Sequence, residues 1–320
     1  MNLLVVSAEE VARCLPYKEC IPLMREAMIA LSQKRSRQTL RQIIDLDGGR
    51  AFGVMPGAML DDRSFGAKLV SVFPENFAKG GSSHQGVVVM FDSETGEPAA
   101  ILEAGEITAI RTAAASAAAT DALARHDARN LAILGYGEQA WRHVEAIRVV
   151  RPPAKVTIWG RSSERAEAFA ARVRAIGLDA EAAASVEAAV DGSDIICTTT
   201  AAPEPILESR WVADGAHINA VGSSRAGPAE IDNGLVVRAR FFADHRDGVL
   251  AQGAEFLRAK AAGLVGDDHV LGEIGEVMAG TLPGRRDPGD VTIYKSLGSI
   301  VQDLAAARHI LARLRAGPPA

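Results

Sequence analysis

Leu131-Ala132-Ile133-Leu134-Gly135-Tyr136-Gly137-Glu138-Gln139-Ala140 is the most informative stretch of this 320-residue chain. It opens with a short apolar run, and the sequence that follows, residues 138–150, reads as a helix ended by Pro152-Pro153. A GxGxxG/A pattern stands between the two. Gly135 suits a tight turn, Gly137 lets a pyrophosphate come close to the backbone, and Ala140 allows close packing of helix on strand. The free amides and positive dipole of the helix start suit phosphate. The pattern alone also marks ordinary strand-to-helix turns. A strand before it and a helix after it are the context that gives it weight. Gly135, Tyr136, Gly137, Glu138, Gln139 and Ala140 therefore read as a dinucleotide-binding loop.

C-terminal to the loop, strand and helix patterns alternate. Lys155–Gly160 is a strand and residues 163–176 a helix. Residues 179–183 and 185–190 form a weaker pair. Residues 193–200, 216–222 and 240–244 are further buried strands. Such alternation implies βαβ units, hence a parallel sheet covered on both faces. The second strand ends in Gly160-Arg161-Ser162 and carries no carboxylate for a ribose 2′-hydroxyl. Arg161 offers a planar cation to a 2′-phosphate, and Ser162 a hydroxyl, so NADPH is favoured over NADH. Thr198, Thr199 and Thr200, with Val221, Gly222 and Ser223, end the next two strands and are candidates to line the ribose and nicotinamide. For the threonines, β-branched packing at a strand end is an equal alternative.

N-terminal to the loop the period changes. Ser7-Ala-Glu-Glu10 reads as a capping box, and an amphipathic helix is expected after Pro22. Residues 38–46, the turn Asp47-Gly48-Gly49 and residues 50–55 read as a hairpin. Residues 65–73 form a third strand, and residues 85–92 and 98–104 a second hairpin. A helix rich in small residues follows Ile107. The tail holds one more strand-like run, residues 291–298, and a long amphipathic helix expected to pack back on the N-terminal sheet. Gly317-Pro318-Pro319 reads as a frayed end. The fold class is α/β. A Rossmann domain (113–300) is expected beside a discontinuous α+β domain (1–112 and 301–320) for substrate binding and dimerisation.

Hydrophobic residues make up 48% and charged residues 23%, which excludes a disordered or fibrous chain. A formal charge of -5 gives no electrostatic footprint for nucleic acid. No apolar run reaches the roughly 18 residues of a membrane span, and the opening residues lack the features of a signal peptide. Cys14, Cys20 and Cys197 are too few and scattered for a disulfide framework, and no metal-binding spacing is present. A reduced, cytoplasmic protein without a metal is expected. His84 and His217 are possible acid–base groups, with structural roles preferred.

Only seven of the 35 cationic residues are lysines. Lys68 is unusual, placed on a strand between Ala67 and Leu69-Val70, because a buried charge without a partner is costly. Arg41, on the strand of residues 38–46, and Arg111, near a helix start, are the other cations of interest. Each alone could equally be a surface or ion-paired residue.

Ordered blocks of sequence carry a stronger signal. They are Arg41, Met55-Pro56-Gly57, Gly66-Ala67-Lys68-Leu69-Val70, Phe73-Pro74, Asn76, Gln85-Gly86, Phe91-Asp92 and Thr95-Gly96. Thr108-Ala109-Ile110-Arg111-Thr112-Ala113-Ala114, the Gly135–Ala140 loop, Asn219-Ala220-Val221-Gly222 and Lys295-Ser296-Leu297-Gly298 follow. With these the chain resembles the ornithine cyclodeaminase/mu-crystallin family over nearly its whole length. The resemblance implies a homodimer. It implies that Arg41, Lys68 and Arg111 hold a substrate carboxylate with Lys68 near the reacting C–N centre, and it adds Lys295 to the nucleotide-binding set. Ornithine cyclodeaminases carry an essential aspartate where this chain has Ser224. A serine has no carboxylate to accept an ammonium proton. Ser224-Arg225 and Arg161 are instead similar to the ketimine-reductase branch.

The expected activity is thus NAD(P)H-dependent reduction of small 2-imino acids. A cyclic ketimine such as Δ1-pyrroline-2-carboxylate or Δ1-piperideine-2-carboxylate would give a cyclic amino acid such as proline. Lys68 and Ser224 are the candidate catalytic residues, Ser224 to orient water or the substrate nitrogen. The alternatives are a redox-neutral ornithine cyclodeaminase, an amino acid or N-alkyl amino acid dehydrogenase of the same family, and a binding protein for NADPH and a small acidic ligand.

Overall fold

The computed structural model describes residues 3–79, 81 and 83–316; the side chains of residues 77–79 and of His84, and the segment 317–320, lie outside what is described. The chain divides into two compact units, Met1–Arg111 with Ser299–Ala320, and Thr112–Gly298.

The first unit begins with β1 (Leu4–Val6), α1 (Ala8–Cys14) and α2 (Tyr17–Ser32). Ser7 and Glu10 form the expected capping box, each side chain bonded to the other's amide. The second helix starts at Tyr17, not after Pro22, which lies within it. Its inward stripe is Cys20, Met24, Ala27, Met28 and Leu31, spaced at three and four residues. The strands β2 (Ser36–Gln38), β3 (Gln42–Asp45), β4 (Ala51–Met59), β5 (Phe65–Val72), β6 (His84–Phe91) and β7 (Pro98–Glu103) follow. They form one sheet in the order β1-β7-β6-β5-β4-β2, with β3 also on β4; β1 pairs parallel and the other pairs are antiparallel. The single strand expected over residues 38–46 is in fact two, and Arg41 lies in the break between them. Asp47, Gly48 and Gly49 all take positive φ in the turn to β4, where Gly carries no Cβ penalty.

The helix α3 (Ala104–Leu123) begins three residues before Ile107 because Glu103 caps it, accepting from the amides of Gly105 and Glu106 at 2.7 Å. The unit boundary falls inside this helix, after Arg111. The last helix, α11 (Ile300–Ala316), packs on α2 and across β4, β5 and β6. A Cβ at Gly57 would lie 2.5 Å from Ile300, so only glycine admits the helix this close to β4.

The second unit holds β8 (Asn130–Leu134), α4 (Glu138–Val150), β9 (Lys155–Trp159), α5 (Ser163–Ala175), β10 (Ala180–Ala182), α6 (Val186–Val190), β11 (Ile195–Thr198) and β12 (His217–Ala220). Then come α7 (Asn233–Arg238), β13 (Arg240–Ala243), α8 (Arg246–Gln252), α9 (Ala254–Ala261), β14 (Val270–Glu273), α10 (Ile274–Met278) and β15 (Thr292–Lys295). Eight strands pair in the order β10-β9-β8-β11-β12-β15-β13-β14, all parallel. The first five follow the doubly wound Rossmann order, which reverses at β8 and leaves a crevice at the carboxyl ends of β8 and β11. The near-continuous apolar strands are buried on both faces, as a parallel sheet requires.

No described helix is long and apolar enough to cross a membrane, and no metal-holding cluster of His, Cys, Asp or Glu occurs among the described residues.

Candidate active site

In the first unit, Lys68 sits mid-strand, opposite Met55 of β4 and Val88 of β6. The pleat turns Gly66 and Lys68 to the buried face of β5, on which α11 packs. Lys68 is 3% exposed. Its ammonium donates to Asp303 Oδ1 at 3.2 Å and to the Thr108 hydroxyl, which itself donates to Ala104 O. Arg111 Nε donates to the same Asp303 oxygen at 3.1 Å, and its Nη1 to Gln302 Oε1 at 2.7 Å. Burial pushes the Lys68 ammonium down to about 8. Asp303 opposes that shift, while the charges of Arg111 and Arg41 add to it. The structure thus brings Lys68 and Arg111 to one carboxylate and Arg41 within electrostatic reach of Lys68.

Lys68 and Arg111 share one buried anion, so the pair has charge to offer an incoming carboxylate. Asp303 Oδ2 and Gln302 Nε2 are buried without a hydrogen-bond partner. Buried polar atoms are rarely left so, and these two mark capacity for a polar guest. Asp303 and Gln302 are functional candidates that sequence reasoning missed. The legible signal was a Gln-Asp pair between Val301 and Leu304 on an otherwise apolar helix face.

In the second unit, Gly135 turns the chain out of β8 with φ +125°, and a Cβ there would lie 2.7 Å from Thr199 Oγ1. Gly137 is the N-cap of α4 and supplies no side-chain bond to the first-turn amides. A Cβ added to Gly137 would meet nothing within 4 Å. The backbone therefore faces open space at the uncapped helix start, as a pyrophosphate requires. Gln139 Oε1, in the same turn, is buried without a partner. These residues fit a dinucleotide. Tyr136 lays its ring over Gly160, where a Cβ would fall 2.1 Å from the ring, and exposed Arg161 follows. Ser162 caps α5, accepting from the amide of Arg165 at 3.3 Å.

The ends of β11 and β12 are tied by a side chain that sequence reasoning missed, Glu230. It accepts from Thr198 Oγ1 (2.7 Å), Thr200 N and Oγ1 (2.6 and 2.7 Å) and Gly222 N (2.7 Å). Burial pushes its carboxyl up, against these donors and the charge of Lys295. Lys295 itself is fully buried between Glu255 Oε2 (2.7 Å) and the carbonyl of Ser223 (2.6 Å). Thr198 and Lys295, expected to meet the nucleotide directly, have no accessible surface and instead hold the loops on which Thr199, Gly222 and Ser223 stand. Thr199 Oγ1 is engaged with Leu134 O at 3.0 Å. Val221 is buried, and Ser224 is half-buried in the loop beyond β12. His217 is a core residue. Its Nδ1 bonds Thr292 Oγ1 at 3.0 Å, and burial pushes it down to about 3, so it is neutral.

The family model for the ornithine cyclodeaminase/mu-crystallin family matches residues 1–317. The chain belongs to this family. It is 37% identical over 308 residues to the ketimine reductase mu-crystallin of Mus musculus, covering 95% of each chain. It is 32% identical over 311 residues to a Delta(1)-pyrroline-2-carboxylate reductase of Bacillus cereus, covering 96% of this chain and 95% of that one. The fold matches that of the Thermococcus litoralis Delta(1)-pyrroline-2-carboxylate reductase in complex with NADH and L-proline. There the TM-score is 0.93 and the identity 30%, with 97% of this chain and 96% of the other covered. Within the family, Met55-Pro56-Gly57 and the Lys68 block have a physical reading here: they admit α11 and present Lys68 to it.

Proposed function

We propose that the chain is a pyridine-nucleotide-dependent reductase of small cyclic 2-imino acids. The observation that carries this reading is the buried cluster of Lys68, Arg111 and Asp303 with Arg41 nearby. It suits a guest that brings one carboxylate and one proton-accepting nitrogen. Relatives 32–37% identical over nearly the whole chain carry the names of ketimine and Delta(1)-pyrroline-2-carboxylate reductases.

The second unit holds the nucleotide at Gly135–Ala140. When bound, a reduced nicotinamide supplies a hydride to C2 of the C=N bond. In the first unit, Arg41 and Arg111 bind the substrate carboxylate, for which the fork geometry of arginine is suited. Lys68 breaks one Nζ–H bond as the imine nitrogen gains an N–H bond, and solvent returns the proton to Nζ. An ammonium near 8 is mostly protonated at neutral pH yet gives up its proton readily, which suits a general acid. Ser224, which has no carboxylate, orients water or the substrate nitrogen.

Arg161, exposed at the end of β9, supports NADPH as the preferred donor. Apolar Leu40, Ile43, Ile44 and Leu46 are exposed on and beside β3, and they support a homodimer through the first unit. Three free, buried cysteines suit a cytoplasmic, reducing setting.

The test is oxidation of NADPH and of NADH across a panel of cyclic imines and of pyruvate with simple amines, with ornithine as the redox-neutral control. Rapid NADPH oxidation with a cyclic 2-imino acid is expected. Ammonia release from ornithine without added reductant would overturn the reading.

A further inference from the structure

Asp303 and its neighbour Gln302 are buried on α11, and the proposed mechanism does not yet use them. Around the Lys68 ammonium stand Asp303 from α11, Arg111 and Thr108 from α3, and Arg41 from the link between β2 and β3. Asp303 is the one anion among these groups. Its Oδ1 lies 3.2 Å from Lys68 Nζ and 3.1 Å from Arg111 Nε, so one oxygen serves both cations. Gln302 fixes the other edge of the Arg111 guanidinium at 2.7 Å.

We infer that Asp303 is a positioning residue for imine reduction, holding Lys68 and Arg111 at a shared oxygen and keeping Lys68 protonated until the imine nitrogen takes the proton. This rests on the reductase reading above. The physical reason is local charge. Without Asp303, the Lys68 ammonium would keep two guanidiniums as neighbours and lose the carboxylate bonded to it, and like charges disfavour the protonated form. The proton leaves Nζ, goes to the substrate nitrogen and is replaced from solvent. A purely structural ion pair would hold α11 to the sheet but would not set where the reaction loses its acid.

The experiment measures kcat for NADPH-dependent reduction of a cyclic 2-imino acid from pH 6 to pH 10. It compares the wild type with Asp303→Asn, Asp303→Ser and Asp303→Glu, checking each for folding by circular dichroism. In folded charge-free variants the alkaline fall in rate should move at least one unit lower, so that the rate at pH 8 is about tenfold below that at pH 6, against about twofold in the wild type. Asp303→Glu should keep the wild-type position of that fall with a lower kcat. A folded Asn or Ser variant whose alkaline limb stays in place would overturn the inference, and so would a Glu variant whose limb moves fully. Failure of the wild type to reduce any cyclic imine would instead remove the reductase reading.

Discussion

Lys295 Nζ lies 2.7 Å from Glu255 Oε2, and neither side chain has any exposed surface. The same ammonium holds the carbonyl of Ser223, so a buried ion pair supports the loop that follows β12. Taking away one partner strands the other charge, which costs about 3–5 kcal/mol. Lys295→Met should lower the urea midpoint accordingly. Lys295→Met with Glu255→Gln should recover much of the loss. Equilibrium denaturation of the three proteins checks this.

Gly135 and Gly137 should respond in opposite ways. Gly135→Ala forces a Cβ into positive φ and against Thr199, so stability should fall by about 1–3 kcal/mol. Gly137→Ala has open space and an ordinary φ of -87°, so the free protein should melt as before. Its added methyl would occupy the phosphate approach, and NADPH affinity should drop at least about tenfold, or about 1.4 kcal/mol. Thermal melts and fluorescence titration separate the two effects.

Lys68→Met should reduce imine turnover by about 10²–10⁴-fold, while NADPH still binds. In the wild type the acid is present below about pH 8 and is lost as pH rises through that value. Rate should therefore be steady on the acidic side and decline on the alkaline side. A kcat profile with no alkaline decline would remove Lys68 from the role of proton donor.

Arg161→Ala should raise the KM for NADPH about tenfold or more and leave the KM for NADH nearly unchanged, because a charged hydrogen bond to phosphate contributes about 1.5–3 kcal/mol. Initial rates with both nucleotides measure it.

Ile43 and Ile44 are 48% and 57% exposed on a strand with no buried position. Ile43→Lys with Ile44→Asp should turn the proposed dimer into a monomer in analytical ultracentrifugation, with little change in the melting of the sheet.

Much of this molecule was legible from local pattern. The helix predicted over residues 138–150 is α4 to the residue, because Gly137 starts it and Pro152 follows its end. Strands β4 to β7 were readable from alternation and from turns at Asp47-Gly48-Gly49 and Thr95-Gly96. Arg41 was misplaced, since Leu40 before it and Ile43-Ile44 after it read as one strand and hide a break that no local propensity marks. The strand β14 was missed because Val270-Leu-Gly-Glu273 is short and carries a glycine. Asp303 and Glu230 were missed for a deeper reason: their partners Lys68 and Thr198 lie 235 and 32 residues away. Pairing over such distances is set by the fold rather than by nearby residues.

The split of the first unit has a consequence for biosynthesis. Lys68 and Arg111 leave the ribosome long before α11 is translated, so the nascent chain carries two cations destined for burial with no counter-ion. The β-sheet is then open on the face α11 will cover, and chaperones have a window in which to engage it. A lesion that stalls translation just short of residue 300 should yield an insoluble fragment in spite of its finished nucleotide fold.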